Sequence, residues 1–249
     1  MATVGPSQPA VAPIIAHRGA SGDCPENTLA SLQHAADLGC RWVEFDCQLT
    51  RDGQIVLVHD ADLARTTGDR RDVHQVDLAE IRRLDAGSWF GSRFAGERIP
   101  TLDMAMDLMQ RPGMGGIVEI KAGNNDPTET ARVVAGHVAD RWPDPLPPPV
   151  LCSFSDEILA GCEAVAPELP RGIGFWEVPA DWEAKARRFG CTAIHANHDF
   201  LQPETVQAML AAGYALRAYT VNAPSRAARL FELGVHSVFS DYPQRLPTD

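Results

Sequence analysis

No stretch of this chain approaches the roughly 20 consecutive apolar residues that cross a bilayer, so a helical membrane protein is excluded. The N-terminal segment Met1 to Pro13 has neither a basic n-region nor an apolar h-region, and no signal peptide is expected there. A basic excess is missing too. The 22 Lys and Arg stand against 33 Asp and Glu, a net charge of −11, which argues against non-specific nucleic-acid binding. No basic amphipathic helix offers a membrane-facing patch, so no stable membrane association is expected. The six cysteines (Cys24, Cys40, Cys47, Cys152, Cys162, Cys191) include no CxxC pair, and Cys47, Cys152 and Cys191 read as small core residues in or beside apolar runs. There is no internal repeat and no linker that would divide the chain. These absences point to a reduced, cytoplasmic, soluble enzyme whose affinity for any anion must come from a local cationic site.

The 249 residues, 45% of them hydrophobic, suffice for a large core and match the usual length of one α/β barrel. Short apolar runs at 14–17, 42–49, 116–121, 150–153, 171–175, 192–195, 214–220 and 235–239 predict eight strands. They alternate with helical patterns near 28–38, 102–110, 127–140, 155–166, 181–189, 203–212 and 224–232, which implies parallel pairing. Asp126-Pro127-Thr128-Glu129 reads as an N-cap, a proline at the first helical position and an acid completing a capping box. Thr101 and Ser155 are further N-cap candidates, and Gly39, Gly190, Gly213 and Gly234 follow helix candidates where a left-handed residue is needed. Eight such units fit a closed TIM (β/α)8 barrel better than an open sheet. Residues 50–100 interrupt the alternation between the second and third barrel strands. Arg51-Asp52-Gly53 turns 55–59 back beside the second strand, and the rest reads as a small insertion over the active-site mouth.

The most telling segment is Trp42-Val43-Glu44-Phe45-Asp46. Residues i and i+2 of a strand share a face, so Glu44 and Asp46 point one way and Val43 and Phe45 the other. Two buried anions are expensive unless a hard divalent cation offsets them. Val118-Glu119-Ile120-Lys121 repeats the pattern with a third acid and a lysine, while His17 and His59 end neighbouring apolar runs. Three acids, two histidines, Arg18 and Lys121 read as a metal-assisted site for a phosphorylated substrate.

His17-Arg18-Gly19, Pro25-Glu26-Asn27-Thr28, Glu44-x-Asp46, Thr50-x-Asp52-Gly53, His59-Asp60, Leu63-x-Arg65-Thr66-Thr67, Glu119-x-Lys121 and Thr220-Val221-Asn222 resemble, in order and over nearly the whole chain, the motifs of the glycerophosphodiester phosphodiesterase family. The resemblance implies a TIM barrel, one divalent cation (Mg²⁺ or Ca²⁺), and hydrolysis of glycerophosphodiesters to glycerol 3-phosphate and an alcohol. By matching position, Glu44, Asp46 and Glu119 would hold the metal, His17 and His59 would be the acid–base pair, and Arg18 and Lys121 would contact phosphate. The family usually has tryptophan where this chain has Tyr219, which keeps an aromatic wall for the glycerol carbons and adds a hydroxyl.

Other residues have plainer readings. Asn27 is read as mainly a helix N-cap, Glu26 as either a helix start or a site residue, Asp52 as turn chemistry, and Asp60 as a partner orienting His59. His195 and His198 read as rim or structural residues, His34, His74, His137 and His236 as ordinary ones, and Trp89-Phe90 as a satellite core rather than a lid. Ser153 is placed to reach substrate. The runner-up function is a lysophospholipase D or another phosphodiesterase on the same barrel; a barrel that only binds phosphorylated ligands is disfavoured because no acid or histidine of the set is missing. The alcohol group, the attacking group and the oligomeric state stay open.

Overall fold

A computed structural model of the protein describes residues 9–247; the remainder of the N-terminal segment read as free of a leader, residues 1–8, lies outside them. The strands are β1 (Ile14–His17), β2 (Trp42–Leu49), β3 (Ile55–Leu57), β4 (Gly115–Ile120), β5 (Val150–Ser153), β6 (Arg171–Phe175), β7 (Ala193–Asn197), β8 (Ala215–Tyr219) and β9 (Ser237–Ser240). All but β3 pair in parallel. β1 joins β2, β2 joins β4, and the order then runs through β9 back to β1, closing an eight-stranded barrel. β3 pairs antiparallel with the end of β2, as the Asp52-Gly53 turn predicts. The helices are α1 (Leu29–Asp37), α2 (Ala64–Thr67), α3 (Leu78–Ile81), α4 (Leu102–Gln110), α5 (Pro127–Arg141), α6 (Asp156–Val165), α7 (Trp182–Arg188), α8 (Pro203–Ala211) and α9 (Pro224–Glu232). Among the described residues no helix is long and apolar enough to cross a membrane.

Side-chain alternation sorts β2 as its sequence requires. Val43, Phe45, Cys47 and Leu49 pack outward in the core shared with α1, α4 and α5. Trp42 turns inward with Ile15, Ile117, Val150, Cys152 and Phe239, filling the barrel interior. Gly115 makes the room, since a Cβ there would stand 2.6 Å from the Trp42 ring. Glu44, Asp46 and Gln48 continue the same inward row and are almost fully buried.

Residues 50–100 carry their own apolar cluster, built from Val56, Val58, Leu63, Val73, Val76, Ile81, Ala86 and Ile99. Gln48 fastens this segment to the barrel: its amide donates to the carbonyls of Val58, His59 and Asp60 at 2.9, 3.2 and 2.6 Å.

The helix starts follow the sequence except in two places. Thr101, Asp126 and Ser155 accept from backbone N–H groups three residues on. Glu129 does not close a capping box, because its carboxylate pairs with Arg132 at 2.6 and 2.7 Å instead. The cap of α1 is Thr28, in a box with Ser31, and not Asn27, whose side chain is engaged elsewhere. Gly39, Gly190, Gly213 and Gly234 take the expected left-handed conformation, with φ between +57° and +95°.

Gly115→Ala should destabilise the fold by about 1–3 kcal/mol through overpacking against Trp42, measurable as a lowered denaturant midpoint with an unchanged slope.

Candidate active site

Strand register assembles the site. In the β1–β2 ladder His17 lies opposite Glu44, and in the β2–β4 ladder Asp46 lies opposite Glu119. Glu44, Asp46 and Glu119 each aim a carboxylate oxygen so that all three lie within 4.8 Å of one another. One oxygen of Glu44 (Oε1) is buried without a hydrogen-bond partner, which is costly in an interior unless something else satisfies it. Burial, then repulsion from Asp46 and Glu119, push the Glu44 carboxyl well above its usual range. Burial would raise Asp46 as well, but Lys121 and Arg18 outweigh it and hold that carboxyl down at about 2. An orphaned buried oxygen inside a three-carboxylate cluster fits a hard cation with oxygen preference, Mg²⁺ or Ca²⁺, and not a thiolate-seeking metal.

The surrounding backbone is shaped to serve these acids. Arg18 and Asn27 are the two non-glycine residues with positive φ among those described, at +54° and +55°. Asparagine tolerates that conformation, whereas for arginine it stores about 1–3 kcal/mol of strain. In it, the Arg18 backbone N–H donates to Glu44 Oε2 at 2.9 Å, while its guanidinium Nε stands 3.4 Å from Asp46. Asn27 clamps Asp46 from both sides: Nδ2 donates to its carboxylate at 2.8 Å and Oδ1 accepts from its backbone N–H at 3.1 Å. The reading of Asn27 as a helix cap is thereby corrected. Lys121 bridges Glu119 and Asp46, which raise its ammonium above the usual range against the lowering effect of burial.

Each histidine is tethered to a carboxylate by the same atom. His59 Nδ1 lies 2.7 Å from Asp60 Oδ1, and His17 Nδ1 lies 2.7 Å from Asp241 Oδ1. An ionised carboxylate only accepts, so the ring proton sits on Nδ1 and Nε2 is left for the cavity. Asp60 is held in turn by Arg65, which also forks onto Glu26 at 2.7 and 2.8 Å; Glu26 reaches Arg18 at 2.9 Å. Glu26 therefore joins two arginines and is more than a helix start. On the other flank Asp241 accepts from Ser21 and Asn222 at 3.0 and 2.8 Å. Burial opposes ionisation of Asp241, but the His17 hydrogen bond and charge, with Asn222 and Ser21, hold it at about 2.

All of this opens on a cavity of about 290 Å³. His17, Arg18, Glu44, His59, Glu119 and Lys121 form its charged side, and Cys152, Phe154, Trp176, His195, Tyr219 and Phe239 the other. The Tyr219 hydroxyl donates to the Phe175 carbonyl at 2.8 Å, so the aromatic face and not the hydroxyl meets the cavity. Ser153 is turned away, its hydroxyl donating to the Ile120 carbonyl at 2.8 Å. His195 is not a rim residue but a buried wall of the cavity, whereas His198 is structural, bonded to Thr220 and Arg226. Asp241 went unread as the partner of His17 because 224 positions separate them; its place directly after an apolar strand-end run was the available signal. A larger cleft of about 750 Å³ lies over α4 and α5, where His137 pairs with Asp103 at 2.6 Å and Arg132 pairs with Glu129.

Comparison with known proteins agrees with this layout. The family model described as "Glycerophosphoryl diester phosphodiesterase family" matches residues 17–245. The chain is 32% identical over 234 residues to a glycerophosphodiester phosphodiesterase of Caldanaerobacter subterraneus, covering 94% of this chain and 95% of that protein. It is 30% identical over 244 residues to one from Bacillus subtilis, covering 92% of this chain and 83% of the other. Among solved structures it superimposes with a TM-score of 0.92, at 38% identity and 95% coverage of both chains, on a phosphodiesterase of Oleispira antarctica in complex with the product sn-glycerol-3-phosphate.

The folded Asp241 carboxyl lies below its usual 3.8, so its stabilisation is present above that pH and is lost as pH falls toward about 2. Asp241→Asn should accordingly narrow its stability deficit relative to wild type as pH drops through this window, followed by urea midpoints of metal-free protein.

Proposed function

This chain belongs to the glycerophosphoryl diester phosphodiesterase family, and on that premise we propose that it hydrolyses glycerophosphodiesters to glycerol 3-phosphate and an alcohol. The observation that carries the reading is the pair of carboxylate-tethered imidazoles sharing one cavity with Glu44, Glu119, Arg18 and Lys121, with Asp46 clustered against the two acids. Glu44, Asp46 and Glu119 would hold one Mg²⁺ or Ca²⁺, which supplies Lewis acidity for charge developing on the non-bridging phosphate oxygens. Arg18 and Lys121 bind the same oxygens and add charge-assisted donors that strengthen as negative charge builds.

Displacement breaks the bond from phosphorus to the leaving alkoxide and forms one to the attacking hydroxyl oxygen. His17 Nε2 accepts the proton from the attacking hydroxyl, and His59 Nε2, protonated at the outset, gives a proton to the alkoxide. The Asp241 and Asp60 carboxylates stabilise each ring while it carries two protons. The same pair serves whether water attacks directly or the glycerol 2-hydroxyl attacks first and water then opens a cyclic phosphate. Tyr219 walls the glycerol carbons. The 50–100 segment, which brings His59 to the cavity, acts as the cover of the mouth in a single barrel domain. The six free cysteines suit the reducing cytoplasm, and the net charge of −11 suits a small soluble diester and not nucleic acid or a membrane surface.

A second reading draws on the exposed Phe154, Trp176 and Phe200 near the cavity mouth: a leaving alcohol with an apolar or acyl portion, as in a lysophospholipase D. Hydrolysis of lysophosphatidylcholine in preference to glycerophosphocholine would favour it.

His17→Ala and His59→Ala should each lower kcat on glycerophosphocholine by about 10²–10⁴-fold, with unchanged circular dichroism. Wild-type turnover in both variants would rule out the pairing. Chelation should abolish activity and Mg²⁺ or Ca²⁺ restore it. At a hundredfold excess over Kd the ion should stabilise the wild type by about 2.7 kcal/mol, an effect that Glu44→Gln removes; full turnover in chelator would eliminate the metal from this scheme.

A further inference from the structure

Arg217 of β8 is a cation in the barrel interior, 2% exposed and without a carboxylate partner among the described residues. Its Nη1 donates to Nε2 of His195 on β7 at 3.0 Å, and its Nε is buried and unpaired. A guanidinium has no acceptor, so Nε2 of His195 must be the bare nitrogen and the ring proton must sit on Nδ1. Burial and then the Arg217 charge hold His195 well below the ordinary histidine range, which keeps the imidazole neutral. The ring is fixed on its remaining sides. Phe239 stands edge-on with centroids 5.1 Å apart, and Gly172 of β6 leaves space that a Cβ would fill 2.7 Å from Nε2. Nδ1 has no partner among the described residues, and His195 lines the cavity that holds Glu44, Glu119 and Tyr219.

We propose that His195 is a substrate-binding residue, set by Arg217 as a neutral Nδ1–H donor to a hydroxyl of the glycerol moiety. The proposal rests on the diesterase reading above. Anionic phosphate oxygens are already matched by Arg18 and Lys121, whereas His195 stands in the wall of Cys152, Tyr219 and Phe239. A neutral donor in an apolar wall suits an uncharged hydroxyl, and a ligand lacking that hydroxyl leaves the donor unpaired. Arg217 is then a positioning residue that acts through His195.

Two measurements on the Mg²⁺-loaded protein test this. Long-range ¹H–¹⁵N spectra of the histidine rings should show the His195 proton on Nδ1 in wild type, and Arg217→Met should let it redistribute toward Nε2. Chemical-shift titrations with glycerol 3-phosphate and with ethyl phosphate, which lacks the hydroxyls, should separate binding of glycerol from binding of phosphate. His195→Leu should weaken glycerol 3-phosphate by about 10- to 100-fold, the expected effect of an unpaired buried polar group, and leave ethyl phosphate nearly unchanged. His195→Asn, whose amide nitrogen falls near the Nδ1 position, should recover most of the loss. Equal losses for both ligands, no loss for either, or a wild-type ring proton on Nε2 would overturn the proposal. A wild type that binds glycerol 3-phosphate through His195 yet leaves glycerophosphocholine intact would instead overturn the diesterase reading alone.

Discussion

Three carboxylates crowded inside one barrel are the constraint around which the rest of this molecule is arranged. In a low-dielectric interior Glu44 is destabilised by burial and by Asp46 and Glu119, and one of its oxygens is left without a hydrogen-bond partner. The chain tolerates this by unusual local means. A left-handed arginine turns its backbone N–H toward Glu44, a left-handed asparagine grips Asp46, and a lysine spans Asp46 and Glu119. Strain and buried carboxylates are concentrated together at this site, as expected where function and not stability selects the residues.

The histidines show a second economy. Both use Nδ1 on a carboxylate at the same 2.7 Å, but the carboxylates are supported differently. Asp241 is held by neutral groups, Ser21 and Asn222, whereas Asp60 shares Arg65 with Glu26 in a chain of ion pairs that runs to Arg18. His59 is thus tied electrostatically to Arg18, and His17 to the residue that follows the last strand of the barrel. Arg217 and His195 repeat the idea with reversed polarity: a cation, not an anion, decides which ring nitrogen carries the proton.

Local patterning made much of this legible. The alternation of polar and apolar residues in β2 identifies the inward row, and the capping residues and terminal glycines delimit most helices, because these depend on spacing within a few residues. The acids, His17, His59, Arg18 and Lys121 were legible as one cluster for the same reason, each lying in a strand or just beyond the end of one. Where the reading went astray, distance along the chain was responsible. Asn27 looked like a helix cap because its neighbours are helical, yet its partner Asp46 is 19 residues away. His195 reads as rim or structural, and its place in the cavity wall beside Arg217 was not visible because its sequence context holds neither.

The sequence by itself determined which elements form, which face of each strand is polar, and which hard-ligand, imidazole and cationic groups are available, since these are consequences of local stereochemistry and composition. Only the tertiary structure decided the pairings: His17 with Asp241, Arg65 with Glu26 and Asp60, Asn27 with Asp46, and Arg217 with His195. Barrel closure is the physical reason. Joining β9 back to β1 fixes strand register and brings the first and last strands side by side, so proton positions and charge compensation are set by neighbours that no local window of the chain contains.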